Sequence, residues 1–125
     1  LKDALEKTIR EYQILSNLQV DLNYEWVDVD MDVMIEDTIF RVIQESMTNA
    51  VRHGHASQLR LHFFEDKENY LIALQDNGVG FETLTYGYGL KQMMERISIL
   101  GGQLQFESRD GFFTRVSLPK YKEGR

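Results

Sequence analysis

The stretch from Asp32 to Gly54 constrains the fold more than any other part of the sequence. Ile39, Ile43, Met47 and Ala50 recur at three- and four-residue intervals, the spacing that gathers side chains on one face of an α-helix. Asp32 stands at the N-cap position, with Val33 first in the helix. The pattern predicts a helix from Val33 to about His53, with Gly54 as its C-terminal stop. A helix with one apolar stripe has to bury that stripe against another layer.

The flanking sequence supplies the layer. Leu5, Ile9, Tyr12 and Ile14/Leu15 have near-helical spacing and predict a short amphipathic helix over Leu1 to about Leu15. Val20, Leu22 and Tyr24 alternate with Asp21 and Asn23, as in a half-buried strand. Leu59, Leu61 and Phe63 alternate with Arg60 and His62, and Tyr70 to Asp76 forms a second strand across turn residues Asp66 to Asn69. A Gly-rich loop, Asn77 to Tyr88, leads into a helix from Gly89 to Leu100, which Gly101-Gly102 ends. Leu104/Phe106 and Val116/Leu118 mark two closing strands around Asp110-Gly111, and the single proline, Pro119, finishes the last. The order is helix, strand, helix, hairpin, helix, hairpin. It predicts an α/β (α+β) two-layer sandwich: a mixed, mostly antiparallel sheet covered on one face by helices.

Composition narrows the function. The 125 residues fit one domain, 1–125, with a charged tail at 120–125. Lys+Arg is 14 against 20 Asp+Glu, a net charge of −6, so nucleic acid is not expected as a partner. There is no Cys, which excludes disulfides and thiolate metal sites. The longest apolar run, Tyr70 to Leu74, falls far short of the roughly 20 residues of a membrane span. The chain opens on Leu1 rather than Met, as a fragment of a longer protein would.

Three features could carry chemistry. At about 100° per residue, Glu45, Asn49 and Arg52 share a stripe on the polar side of the long helix, flanked by Arg41 and Thr48. A carboxylate and an amide oxygen at i and i+4 are hard donors suited to Mg²⁺, although a solvated helix face has the same spacing. Asp76-Asn77-Gly78-Val79-Gly80 ends a strand in a carboxylate and enters a loop whose glycines let backbone approach a ligand; an ordinary Asn-Gly turn reads the same way. Gly87-Tyr88-Gly89-Leu90 opens a helix, and helix N-termini bind phosphate. It is neither a Walker A loop nor a Rossmann fingerprint.

Taken in order, Glu45-x-x-x-Asn49-Ala50-x-x-His53, Asp76-x-Gly78-x-Gly80 and Gly87-x-Gly89-Leu90 resemble the N box and two glycine boxes of the gyrase/Hsp90/histidine-kinase/MutL superfamily. Gly89-Leu90-x-x-Met93-x-Glu95-Arg96-x-x-x-Leu100-Gly101-Gly102 is similar to sensor histidine kinases of the nitrate, desaturase-control and cell-envelope-stress group. Six residues separate Gly80 from Gly87, like the short ATP lid of that group.

The resemblance implies a Bergerat-type ATP-binding fold with ATP and Mg²⁺ as cofactors. By this likeness Asp76 accepts from the adenine amino group and disfavours guanine. Asn49 binds Mg²⁺, and Glu45 orients the metal's water or acts as base. Asn77, Gly78 and Gly80 shape the adenine loop, while Gly87, Gly89 and Leu90 follow the phosphates. Arg52 and His53 touch phosphate or ribose, or fix the lid. Thr114 reaches the adenine water network. Arg96 either matches a family arginine or pairs with an acid, and Met93 and Met94 belong to the core. One departure stands out: Gly111-Phe112-Phe113-Thr114 replaces the family's Gly-x-Gly-Thr, with Phe113 expected as a buried strand residue.

The implied activity is transfer of the ATP γ-phosphate to a histidine on an upstream dimerisation domain, for relay to a response regulator with a helix-turn-helix output. Nothing in the sequence resembles that histidine segment, and Leu1 to Leu15 resembles the stretch that follows it. The fragment is expected to be a monomer in the cytoplasmic part of a membrane-anchored bacterial sensor, without membrane contact of its own. Two alternatives share the fold: an anti-sigma-factor-type serine kinase and a non-catalytic nucleotide-sensing or protein-binding module.

Overall fold

The computed structural model describes residues 1–27, 31–81 and 87–120. Residues 82–86 of the expected lid and 121–125 of the expected tail lie outside the described residues.

The elements follow the predicted order: α1 (Lys2–Ser16), β1 (Gln19–Tyr24), α2 (Val33–Arg52), β2 (Gln58–Glu65), β3 (Asn69–Asp76), α3 (Tyr88–Ile99), β4 (Gln103–Ser108) and β5 (Phe112–Pro119). They form a five-stranded sheet in the order β1-β2-β3-β5-β4. β1 runs parallel to β2, and the other neighbours are antiparallel. A parallel pair needs a crossover longer than a hairpin turn, and α2 lies in that connection.

Alternation along the strands separates the two faces of the sheet. Phe63, Ile72, Val116 and Leu104 occupy one cross-strand row, and Leu61, Leu74, Thr114 and Phe106 the next. These rows point into the core, while Arg60 and Arg115 on the other face are exposed. From α2, Ile35, Ile39, Val42, Ile43, Met47 and Ala50 are buried in the same core. Burying each large apolar side chain contributes about 1.5–3 kcal/mol, so this stripe fixes α2 against the sheet.

Local chemistry sets the helix ends. Asp32 caps α2 as predicted, its side chain accepting from Met34 N at 2.8 Å. At the other end His53 N and Gly54 N both donate to Asn49 O, and Ala56 N donates to Ala50 O at 2.8 Å. The left-handed residue of this turn is His55, with φ 50°, rather than the expected Gly54. The glycine serves a close approach instead, described below.

Three further expectations need correction. Ile14 and Leu15 do not extend the buried face of α1: Leu15 is 85% exposed, and only Leu5 and Ile9 of the helix are fully buried. Both lie too far round the helix to share that stripe. Met93 is buried but Met94, one position on, is 39% exposed. Lys120 is held rather than frayed, its backbone N donating to Glu68 O at 2.8 Å and its Nζ meeting Glu65 Oε1 at 2.6 Å.

Candidate functional site

The core-facing rows contain two polar side chains where apolar ones would pack, Asp76 at the end of β3 and Thr114 on β5. Asp76 is 4% exposed and Thr114 3%. Both line a narrow cavity between the sheet and helices α2 and α3. Its walls are Leu59 and Leu74 from the sheet, Leu90 and Met93 from α3, and Phe112 from β5, with Ser46 and Asn49 reaching in from α2. Apolar walls with a few polar atoms are the make-up of a small-molecule pocket, here closed down to a free volume of about 10 Å³.

The two carboxylate oxygens of Asp76 have different surroundings. Oδ1 accepts from Gly78 N and Phe112 N, each at 2.9 Å. Oδ2 has no hydrogen-bond partner among the described residues, and none of their side-chain oxygens is both sealed from solvent and unpaired. Oδ2 is therefore open to the cavity as a free acceptor whose orientation the two N–H groups fix.

The loop after Asp76 closes on the end of α2. Val79 N donates to Gly54 O at 2.9 Å. A Cβ on Gly78 would stand 2.7 Å from the Gly54 carbonyl carbon, and one on Gly54 would stand 3.3 Å from Asp76 Oδ2. Space requires the glycine at 78, and at 54 a Cβ would make a tight contact. Asn77 binds protein rather than facing the cavity: its Oδ1 accepts from Ser57 N and Gln58 N at 2.9 and 3.0 Å, and its Nδ2 donates to Ser57 Oγ at 2.9 Å. Gly80 has φ 66° and packs against Ser108 and Gly111.

At the cavity mouth Glu45 and Asn49 lie one turn apart on α2. The Glu45 carboxylate rests against Gly89, where any added Cβ would collide with it. Gly87 caps α3 without a side-chain hydrogen bond, and Lys91 N donates back to Gly87 O at 3.1 Å. The first-turn N–H groups of a helix have no intrahelical acceptor, so this end of α3 favours anions.

The structure brings Asn49, Asp76, Leu90 and Thr114 to the lining of one cavity, with Gly78 bonded to Asp76 and Glu45 lying against Gly89 outside that lining. It does not bring Arg52 and His53 there: both are exposed at the end of α2 and neither lines the cavity. Arg96 pairs with Asp37 of α2 at 3.1 Å, and Arg41 approaches the same carboxylate at 3.5 Å. Phe113 is half-exposed rather than buried, because strand alternation turns it to the open face, where the Arg109 guanidinium lies 4.1 Å from its ring centroid. Phe112 is the aromatic that faces the cavity, packed on Phe81 and Phe106.

The sequence reading missed Ser46, Gly54 and Phe112 as parts of this site. Ser46 was detectable, being seven residues after Ile39 and three after Ile43, hence a polar residue in the apolar stripe. Phe112 shares a strand face with Thr114, two positions away. Gly54 gave no signal beyond that of a helix stop.

Residues 34–122 match the model of the histidine kinase-, DNA gyrase B-, and HSP90-like ATPases. Among curated proteins, the sensor histidine kinase YxjM of Bacillus subtilis is 33% identical over 119 residues, covering 93% of this chain and 29% of that protein. The signal transduction histidine-protein kinase/phosphatase UhpB of Salmonella typhimurium is 33% identical over 125 residues, covering 96% of this chain and 25% of that protein. The chain therefore spans between a quarter and a third of the length of these relatives. The fold recurs in the histidine kinase domain of the Erythrobacter litoralis EL346 blue-light activated histidine kinase, with a TM-score of 0.78 at 18% identity over 92% of this chain and 58% of that one. It recurs in the catalytic domain of histidine kinase ThkA, with a TM-score of 0.69 at 18% identity and 95% of both chains covered.

Proposed function

Because this chain belongs to the family of histidine kinase-, DNA gyrase B-, and HSP90-like ATPases, we propose that its cavity binds ATP with Mg²⁺. In this reading it is the catalytic domain of a sensor histidine kinase. The observation that carries this is the divided role of Asp76: one oxygen is held by two backbone N–H groups and the other is open to an apolar-walled cavity. A buried carboxylate so placed accepts the adenine amino group. Guanine would set a carbonyl oxygen against Oδ2, leaving two buried acceptors unpaired.

The donor set at the mouth fits Mg²⁺. Asn49 offers an amide oxygen and Glu45 a carboxylate, both hard donors. No group of three or more His, Cys, Asp or Glu that could cage a metal exists among the described residues. Mg²⁺ commonly takes one or two protein oxygens and completes its octahedron with phosphates and water. Once bound, the cation would offset phosphate charge. Asn49 would hold it and Glu45 would orient its water shell. The open first turn of α3, at Gly87, Gly89 and Leu90, would accept phosphate oxygens.

The acceptor in this reading is a histidine on a separate dimerisation domain. Positioning and charge stabilisation supply most of the rate in such transfers. The phosphoryl group then passes to an aspartate of a response regulator with a helix-turn-helix output. The sensor histidine kinases among the relatives support this reading over the serine-kinase alternative. Among the described residues no helix is long and apolar enough to cross a membrane. In this reading the chain is a monomeric catalytic unit in the cytoplasmic part of an anchored sensor.

Calorimetric titration with ATP and GTP in Mg²⁺ is the test. ATP binding with GTP at least tenfold weaker is expected. Phosphorylation of an added dimerisation domain bearing the acceptor histidine would then establish the transfer. No heat with ATP, or equal affinity for GTP, refutes the assignment of the cavity.

A further inference from the structure

We propose that Ser46 is a second base-recognition group, its hydroxyl donating, directly or across one water, to a ring nitrogen of the adenine whose amino group Asp76 accepts. The proposal rests on the ATP reading and names the residue that would refine it.

Ser46 sits on the buried side of α2, 8% exposed, and lines the same cavity as Asp76 and Thr114. Helical serines commonly bond back to the carbonyl four residues earlier. Ser46 makes no such bond, and its hydroxyl has no partner of any kind among the described residues. Since no described side-chain oxygen is both sealed and unpaired, the hydroxyl must open to the cavity. The cavity lining combines the apolar Leu59, Leu74, Leu90, Met93 and Phe112 with Asn49, Asp76 and Thr114, and an unpaired polar atom there is costly unless a ligand or water satisfies it.

Alanine would be the better residue by local criteria. It has higher helix propensity than serine and would leave nothing unsatisfied in the stripe. The hydroxyl is therefore best explained by what enters the cavity. Asp76 offers only an acceptor, matching the exocyclic amino group. Adenine's ring nitrogens are acceptors and need a donor. Ser46 is placed to supply one from the helix side of the cavity.

The test pairs Ser46→Ala with ATP and its 1-deaza, 3-deaza and 7-deaza analogues, each lacking one ring nitrogen. Binding is read by calorimetry, and stability by thermal unfolding without nucleotide. Loss of one neutral hydrogen bond predicts about fivefold weaker ATP binding by the variant. One analogue should bind the wild-type chain weaker by a similar factor and lose nothing further in Ser46→Ala. The other two should lose as ATP does. Without nucleotide the variant should unfold at the same or a higher temperature. Three results would overturn the assignment: unchanged ATP affinity, equal loss for ATP and all three analogues, or a clear fall in unfolding temperature, which marks a packing role. A wild-type chain that binds no ATP overturns the ATP reading itself, and the Ser46 assignment with it.

Discussion

Asp76→Asn separates recognition from folding. In the wild-type chain Oδ1 accepts from Gly78 N and Phe112 N at 2.9 Å each, and Oδ2 is open to the cavity. An asparagine can keep both backbone bonds only if its carbonyl takes the Oδ1 position. The reverse orientation would set an NH₂ group against two N–H donors. The amide nitrogen is therefore forced towards the cavity, where it meets the adenine amino group donor to donor. The lost bond is to a charged acceptor, about 1.5–3 kcal/mol, and the unpaired donors cost about 1 kcal/mol more. A total of about 3 kcal/mol corresponds to roughly 150-fold weaker ATP binding. Folding should suffer little, within about 1 kcal/mol, because both backbone bonds persist. Asp76→Ala is the contrast: it strands two buried N–H groups and should lose about 2 kcal/mol or more of stability. The new amide donor also suits the guanine carbonyl, so the ATP-to-GTP preference should narrow in Asp76→Asn alone. Titration with both nucleotides, beside thermal unfolding of the three proteins, reads all of this. Asparagine binding ATP within threefold of wild type, or destabilising the fold as much as alanine, would refute the reasoning.

Gly78→Ala puts a Cβ 2.7 Å from the Gly54 carbonyl carbon. The obstacle is backbone and cannot swing aside, so about 3 kcal/mol should be lost and the unfolding temperature should drop by about 10 °C. The nearest atoms to a Cβ in Gly89→Ala belong to the movable Glu45 carboxylate; stability should hold while ATP affinity falls, because Glu45 is displaced and the first turn of α3 is crowded. Acid should loosen the far end of the sheet. The Lys120 ammonium and Val27 N–H hold the Glu65 carboxyl below its ordinary 4.5, and the Glu68 and Asn69 N–H groups hold Asp66 below 3.8. Depressed carboxylates stabilise the fold fully above their unfolded values and lose that contribution as pH falls through the folded ones. Unfolding temperature should therefore decline below about pH 4.5, and Glu65→Gln should flatten the decline.

The fold was legible because the period of the apolar residues changes with each element. Ile39, Ile43 and Met47 could only share a face on a helix, and Leu59, Leu61 and Phe63 only on a strand. The parallel pairing of β1 with β2 was not legible, because alternation gives a strand's faces and not its neighbour's direction. Asp76, Asn49 and Glu45 stand out only through the family resemblance of their motifs, because their spacing alone fits a solvated helix face and an ordinary turn equally well. Asn77 was grouped with them by motif, yet its hydrogen bonds go to Ser57 and Gln58, and no local pattern reveals a partner some twenty residues away. Arg52 and His53 continue the stripe of Glu45 and Asn49, but at the end of α2 that stripe has already passed the cavity. Phe113 shows the opposite error. It looked intrusive where the motif has glycine, and strand alternation turns it to the open face.

The residues that make the cavity also weaken the core. Asp76, Thr114 and Ser46 are nearly buried, at 4%, 3% and 8% exposure, and each stands where an apolar side chain would contribute about 1.5–3 kcal/mol on burial. Such a site should recover part of that stability from its ligand. Nucleotide at a hundred times its dissociation constant stabilises the folded state by about 2.7 kcal/mol. At the usual unfolding entropy per residue, that raises the unfolding temperature of a domain this size by about 10 °C. The shift should require the groups that face the cavity. ATP should therefore produce it in the wild-type chain, far less of it in Asp76→Asn, and an intermediate amount in Ser46→Ala. GTP at the same concentration should produce little. Equal shifts with ATP and GTP would mean that phosphate contacts at α3 and α2 dominate. The polar atoms buried beside the base would then have no part in choosing it.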